Sequence, residues 1–218
     1  MQWIDMDAWP RRRHYDFFTG MDQPYFSLTA EVDVSRFYEA VKGGGHSLTV
    51  AMAHVLARCA IAIPEFRMRI RDGRVLLHDT VSPSFTLLAA DDLFSFCTVP
   101  YHPDFLIFEA RARKRIAEVK NSPTLADGPN EDNLLYMTSI PWVHFTAIEH
   151  PKHFSPPHSV PQLAWGRIVQ RDGRRLMPLN LQVHHGLMDG LHAGRFFERV
   201  QQALDHPGFF NNEDTDAP

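Results

Sequence analysis

Leu176–Phe197 reads LMPLNLQVHHGLMDGLHAGRFF, and in this stretch a strand, a histidine pair, a turn and a helix start follow one another. Leu176, Pro178, Leu179, Leu181 and Val183 form an apolar run with partial alternation, the pattern of a buried or half-buried strand. His184 and His185 end it, Gly186, Asp189 and Gly190 make a turn, and Leu191, Phe196, Phe197, Val200 and Leu204 recur at roughly helical spacing. Histidines at a strand end stand where α/β proteins place their chemistry. Side chains alternate along a strand, so the two imidazoles point to opposite faces and do not share a metal ion. His192 belongs to the next element, so the expectation is no metal site. Ordinary core or surface hydrogen bonds are one reading of the pair. The other is an imidazole base that removes a proton from a hydroxyl or thiol.

Outward from this corner, the 218 residues are 44% hydrophobic and 22% charged, ordinary values for one soluble globular domain. A net charge of −4 offers no electrostatic footprint for nucleic acid or an anionic membrane. No apolar run spans a bilayer and no basic-then-hydrophobic leader opens the chain, so a cytoplasmic location is expected. Cys59 and Cys97 make no disulfide framework and lack the flanks of a nucleophile.

Trp9 to Phe18 reads as a helix with Pro10 in its first turn, stopped by Gly20. Tyr25 to Val34 alternates as a strand, and Asp33 or Ser35 caps a short helix that Gly43-Gly44-Gly45 ends. LTVAMAHVLARCAIAI after Ser47 is a buried helix closed by Pro64. Phe66 to Ile70 and Val75 to His78 flank the turn Arg71-Asp72-Gly73-Arg74 as a hairpin. Strands follow at Ser84 to Ala89 and Phe94 to Val99, then a helix with Phe105, Phe108, Ala112, Ile116 and Val119 on one face. Asn121 to Asn133 is a loop, Leu134 to Ile140 and Val143 to Ile148 are strands, and Pro151 to Pro161 is a solvated loop carrying His153 and His158. Leu163 to Gln170 is a strand that pairs back onto the one leading to His184. The mixture predicts an α/β two-layer sandwich with a mixed β-sheet: one domain over 1–208 and a disordered acidic tail at 209–218.

His-His-x-x-x-Asp-Gly, here HHGLMDG, resembles the signature of the chloramphenicol acetyltransferase superfamily. WPRRRHYDFF, FSLTAEVDV, PEFRMRIRDG, VLLHDTVSPSFT and SIPWVHFT extend the resemblance to its type A members, from about Trp9 to Leu204. It implies the same fold and a homotrimer with active sites at subunit interfaces. Condensation domains of the superfamily carry two such halves, whereas this chain carries one. It also implies acetyl-CoA as co-substrate, no permanently bound cofactor, and the 3-hydroxyl of chloramphenicol as leading acceptor. By resemblance His185 is the base, His184 a structural neighbour, and Arg11 the partner of Asp189. Trp142 lies by the pantetheine channel, and Phe17, Phe18, Thr86 and Phe94 line the acceptor site.

The chain departs from the family at four positions. Thr138 stands where a serine usually supplies the oxyanion donor, and Ala164 where a threonine holds a water. Asp22 and Tyr136 replace residues that are usually apolar and amide-bearing, and Asp22 at a pocket rim favours a polar or cationic acceptor. No GxSxG elbow or cysteine signature points to an acyl-enzyme, so direct attack is expected. Three alternatives stay open: the same chemistry on another small alcohol or amine; a lipoamide acyltransferase core, against which stands the lack of a preceding lipoyl domain or linker; and a non-catalytic trimeric binder of CoA thioesters or small molecules.

Overall fold

The computed structural model describes residues 1–88, 92–123, 125, 132–153 and 158–210. Its strands are β1 (Gln2–Trp3), β2 (Tyr25–Asp33), β3 (Met68–Arg71), β4 (Arg74–Leu77), β5 (Ser82–Leu88), β6 (Phe94–Thr98), β7 (Leu134–Ile140), β8 (Gln162–Gly166), β9 (Val169–Arg171) and β10 (Arg174–His184). The helices are α1 (Arg12–Thr19), α2 (Ser35–Gly43), α3 (Leu48–Ile61), α4 (Phe105–Asn121) and α5 (Gly190–Asp205). A seven-stranded sheet runs β2-β10-β8-β7-β5-β6, with β9 beside β10. It is mixed: β5 to β7 and β7 to β8 are parallel, and every other pair is antiparallel. A small sheet, β1-β4-β3, stands apart. The α/β architecture with a mixed sheet is the one expected.

Alternation sorts the large sheet into two faces. Phe85, Met137, Leu163 and Leu181 share one cross-sheet row and join the helix-side core with Phe196 and Val200. Ser84, Tyr136, Gln162 and Gln182 make the adjacent row, and Thr138, Ala164 and Asn180 another, both on the opposite face. Helix α3 is apolar nearly all round, which suits its central position. Ser47 caps it by accepting the Val50 N–H, and Pro64 opens the 3-10 turn beyond it.

Strand β10 is buried on both faces. Its odd residues meet the core, but Asn180 and Gln182 hydrogen-bond a segment crossing the other face. Asn180 Nδ2 donates to Ile148 O at 3.2 Å, and Gln182 receives the His150 N–H at 3.1 Å and donates to His150 O at 3.3 Å. This corrects the expected strand at Val143 to Ile148, which is irregular. The segment crosses the sheet face rather than extending an edge, so side chains satisfy the backbone at Ile148 and His150, while Val143 O takes the Arg167 N–H at 2.8 Å.

Three boundaries also differ from expectation. Pro10 lies outside α1, because Arg11 is already the N-cap residue. Asp33 takes the Ser35 N–H and hydroxyl, although Val34 occupies the cap position of α2. The single strand expected at Leu163 to Gln170 is two: Leu179 pairs Trp165 but Leu176 pairs Val169, a one-residue slip that marks a bulge around Gly166. A Cβ at Gly166 would stand 2.6 Å from Val143 O and 2.7 Å from Pro178 Cγ. Gly166→Ala is therefore expected to cost about 1–3 kcal/mol, read as a lower urea midpoint. The ends of the loops expected at Asn121 to Asn133 and Pro151 to Pro161 are described, but much of the first and residues 154–157 of the second lie outside the described residues, as do position 89 and residues 211–218 of the tail.

Arg69 in β3 is buried and donates to the carbonyls of Phe66, Met68, Asp132 and Leu134, tying the small sheet to the start of β7. Burial lowers its pKa to about 10. Cys59 and Cys97 are free and buried, their thiols pushed up to about 12 and about 11. Among the described residues no helix is long and apolar enough to cross a membrane.

Candidate active site

The His185 turn is held from three directions. Its N–H donates to Pro24 O at 2.8 Å, and the Leu187 and Met188 N–H groups close the turn on His184 O. The imidazole stacks on Phe18, centroids 3.7 Å apart at 8°, with Phe26 at 4.8 Å. Arg11, entering at the start of α1, donates to His185 O at 3.0 Å, Gly186 O at 3.1 Å and Asp189 Oδ2 at 2.6 Å. The guanidinium fork thus fixes the backbone around His185 as well as pairing the carboxylate. The pair is half-buried, so desolvation offsets much of its Coulomb gain and its main effect is on geometry. His185 Nδ1 is buried with no hydrogen-bond partner among the described residues.

Asp189 does a second job: it is the N-cap of α5, its Oδ1 accepting the Leu191 N–H at 3.0 Å. His192 completes a capping box, with Nδ1 2.8 Å from Asp189 Oδ1 and Nε2 3.5 Å from Glu65 Oε1. Burial works to raise the Asp189 pKa, but the Arg11 hydrogen bond, the charges of His192 and Arg11, and the Leu191 N–H outweigh it and bring it down to about 2. Glu65, and less strongly Asp189, raise the pKa of His192 against burial. His184 occupies the other side of the strand end. Its Nδ1 accepts the Gly186 N–H at 3.1 Å and its ring meets Tyr25 edge-on at 5.1 Å. Burial, and then the charges of His185 and His158, lower its pKa to about 4.

A cavity of about 470 Å³ opens on the face of the sheet away from the helices. Thr86, Phe94 and Thr138 line it, with Tyr136, Phe96 and Gln162 beside them. Its remaining wall is the loop carrying His150, Lys152, His153 and His158. That loop is not simply solvated, because Tyr25 OH donates to His153 O at 3.1 Å and accepts the His158 N–H at 3.0 Å. Gln162 Nε2 donates to Pro151 O at 3.1 Å. Burial lowers the His150 pKa and takes His158 to about 4. Among the described residues no three His, Cys, Asp or Glu side chains converge as a metal site.

The expected site residues thus fall into two groups. Arg11, Phe18, His185 and Asp189 meet around the turn, with Phe17 against Phe18 at 5.2 Å, while Thr86, Phe94 and Thr138 meet in the cavity. Trp142 joins neither group and is 66% exposed, so it is not the buried tryptophan of a core. Asp22 is exposed on the turn after α1 and does not line the cavity. Sequence reasoning missed His192, whose position at the third residue after the Asp cap was the available signal. It also missed the cavity wall made by His150, Lys152, His153 and His158, for which the loop's composition carried no signal.

Comparison with known proteins shows the family to which the chain belongs. The family described as Chloramphenicol acetyltransferase matches residues 1–201. A chloramphenicol acetyltransferase of Klebsiella sp is 30% identical over 203 residues, 93% of each chain. One from Streptomyces acrimycini is 32% identical over 209 residues, 94% of this chain and 95% of that one. A solved chloramphenicol acetyltransferase superposes with a TM-score of 0.82 at 29% identity, covering 93% of this chain and 99% of the other. In sequence and in fold, the chain belongs to the chloramphenicol acetyltransferase family.

Proposed function

We propose that the chain transfers the acetyl group of acetyl-CoA to the 3-hydroxyl of chloramphenicol, with His185 as general base. The observation that carries this is similarity over 93% of the chain to proteins named chloramphenicol acetyltransferase. It is joined by the fixed His185 turn and by a cavity whose wall holds a hydroxyl, Thr138. Because Nδ1 is buried, Nε2 is the nitrogen that takes the acceptor's proton. The acceptor oxygen attacks the thioester carbonyl, and Thr138 donates to the tetrahedral oxyanion. Collapse breaks the carbon–sulfur bond, and the imidazolium returns its proton to the CoA thiolate. No acyl-enzyme forms, because both substrates are bound together. Arg11 and Asp189 are positioning residues that act through the turn.

The two groups of residues are separate in one chain, and Phe17, Phe94 and Trp142 are exposed there. A homotrimer in which the His185 turn of one copy closes the Thr138 cavity of the next joins them, with Trp142 beside the pantetheine arm. Acetyl-CoA is a co-substrate, no cofactor is held between turnovers, and the cytoplasm, where acetyl-CoA is made, is the location. The test is thiol release from acetyl-CoA by the native protein with and without chloramphenicol. Drug-dependent release is expected. Acetyl-CoA binding without release sinks the named acceptor, and no release with any hydroxyl or amine acceptor leaves a non-catalytic binder.

A second reading keeps the chemistry and changes the acceptor. It is favoured by the polar cavity wall at His150, Lys152 and His158.

A further inference from the structure

The cavity has two unlike walls. One is aromatic: Phe94 and Phe96 lie 5.9 Å apart, and Tyr136 continues the wall 6.4 Å from Phe96. The facing loop is nitrogen-rich, with the His158 ring parallel to Tyr136 at 5.6 Å and Lys152 beside it. Among the described residues that line the cavity, none is Asp or Glu. Lys152 is not a loose surface chain: its Nζ sits 4.8 Å over the Tyr25 ring, and Tyr25 also holds the loop backbone at His153 and His158. A cation–π contact of this kind orients an ammonium without neutralising it, so its charge stays available to a ligand.

We propose that, among the aromatic acceptors it admits, this cavity favours one carrying an anionic group beside the ring over a neutral one such as chloramphenicol, and that Lys152 receives the anion. The proposal rests on the acyltransferase reading only in taking the ligand to be the acceptor. The aromatic wall takes the ring by stacking, and the ammonium pairs with the anion in a part-enclosed space where screening is weaker than at an open surface. The imidazoles of His150 and His158, kept neutral by burial, offer N–H donors and no competing negative charge. This reverses the electrostatic preference that Asp22 implied.

The test is calorimetric binding of 4-(2-hydroxyethyl)benzoate and of its methyl ester to the full chain, without acetyl-CoA. The two probes share the ring and the hydroxyethyl arm and differ in the charge of the carboxyl group and one methyl. In the native protein the acid is expected to bind about tenfold tighter than the ester, a preference that shrinks at high salt. Lys152→Met should remove that ratio and Lys152→Arg should keep it. Equal affinities for acid and ester, no binding of the acid, or a ratio unmoved by Lys152→Met overturns the proposal. So does a ratio that rises only in Asp22→Asn, which would mean that Asp22 of a neighbouring copy neutralises Lys152. Thiol release with chloramphenicol is scored separately. Release without an acid preference sinks this proposal alone, and an acid preference without release sinks the activity alone.

Discussion

Replacing His185 with alanine is expected to lower chloramphenicol-dependent thiol release by about 10²- to 10⁴-fold in kcat, the range that general-base assistance supplies. A free hydroxyl is a poor nucleophile, and the other histidines near the strand end are ill placed to substitute. His184 is buried against Tyr25 and its Nδ1 is engaged by the Gly186 N–H. His192 is committed to the Asp189 cap. KM for acetyl-CoA should change little, because the imidazole acts on the acceptor's proton. Arg11→Lys is the companion variant. One ammonium cannot reproduce three bonds directed at His185 O, Gly186 O and Asp189, so the turn loses its hold while the base remains. A loss on the order of 10²-fold, with native-like circular dichroism, is expected from misplacing the ring. Steady-state kinetics of both variants decide the matter. If His185→Ala keeps a rate within fivefold of the native protein, the base lies elsewhere.

The second large effect is loss of stability on mild acidification, between about pH 6.5 and pH 4. Burial first, and in each case a nearby charge too, hold His54, His158 and His184 neutral, each with a pKa of about 4. In the unfolded chain each ring titrates near 6.5. Below that pH the unfolded state takes up protons that the folded state refuses, so stability falls until the folded pKa is reached. Above about 6.5 the contribution is fully present. Each ring accounts for on the order of 3 kcal/mol across that window, a large share of a typical domain's stability. His192 works in the opposite sense, since its raised pKa stabilises at low pH and the gain is lost as pH rises through that value. It is one ring against three. Asp189, at about 2, loses its contribution only below the window. Urea midpoints at pH 7, 6, 5 and 4.5 should fall steeply. His54→Gln, whose amide can still donate to the carbonyls of His102 and Pro103, should flatten the slope by about one proton. A flat native profile from pH 7 to 5 would show that these rings protonate in place.

Local order in the chain was legible because it is set by near neighbours. The alternation of LMPLNLQV, the Gly and Asp-Gly turns, Ser47 ahead of a long apolar run and Pro64 behind it each specify an element through backbone sterics and capping, and the structure has those elements. The resemblance carried by HHGLMDG was enough to pair Arg11 with Asp189, because it implies a geometry that the residues here can form, and in the structure Arg11 reaches Asp189. What lies on the second face of the sheet was decided only by tertiary structure. Val143 to Ile148 has the composition of a strand, yet Asn180 and Gln182 turn it into a strap across β10, using side-chain amides more than 30 residues away in sequence. Tyr25 likewise draws His153 and His158 onto the cavity from a loop whose composition reads as solvated. Periodicity records which face of an element is apolar. It holds no record of which distant polar group will satisfy a backbone that crosses that element, and here those crossings build one wall of the cavity.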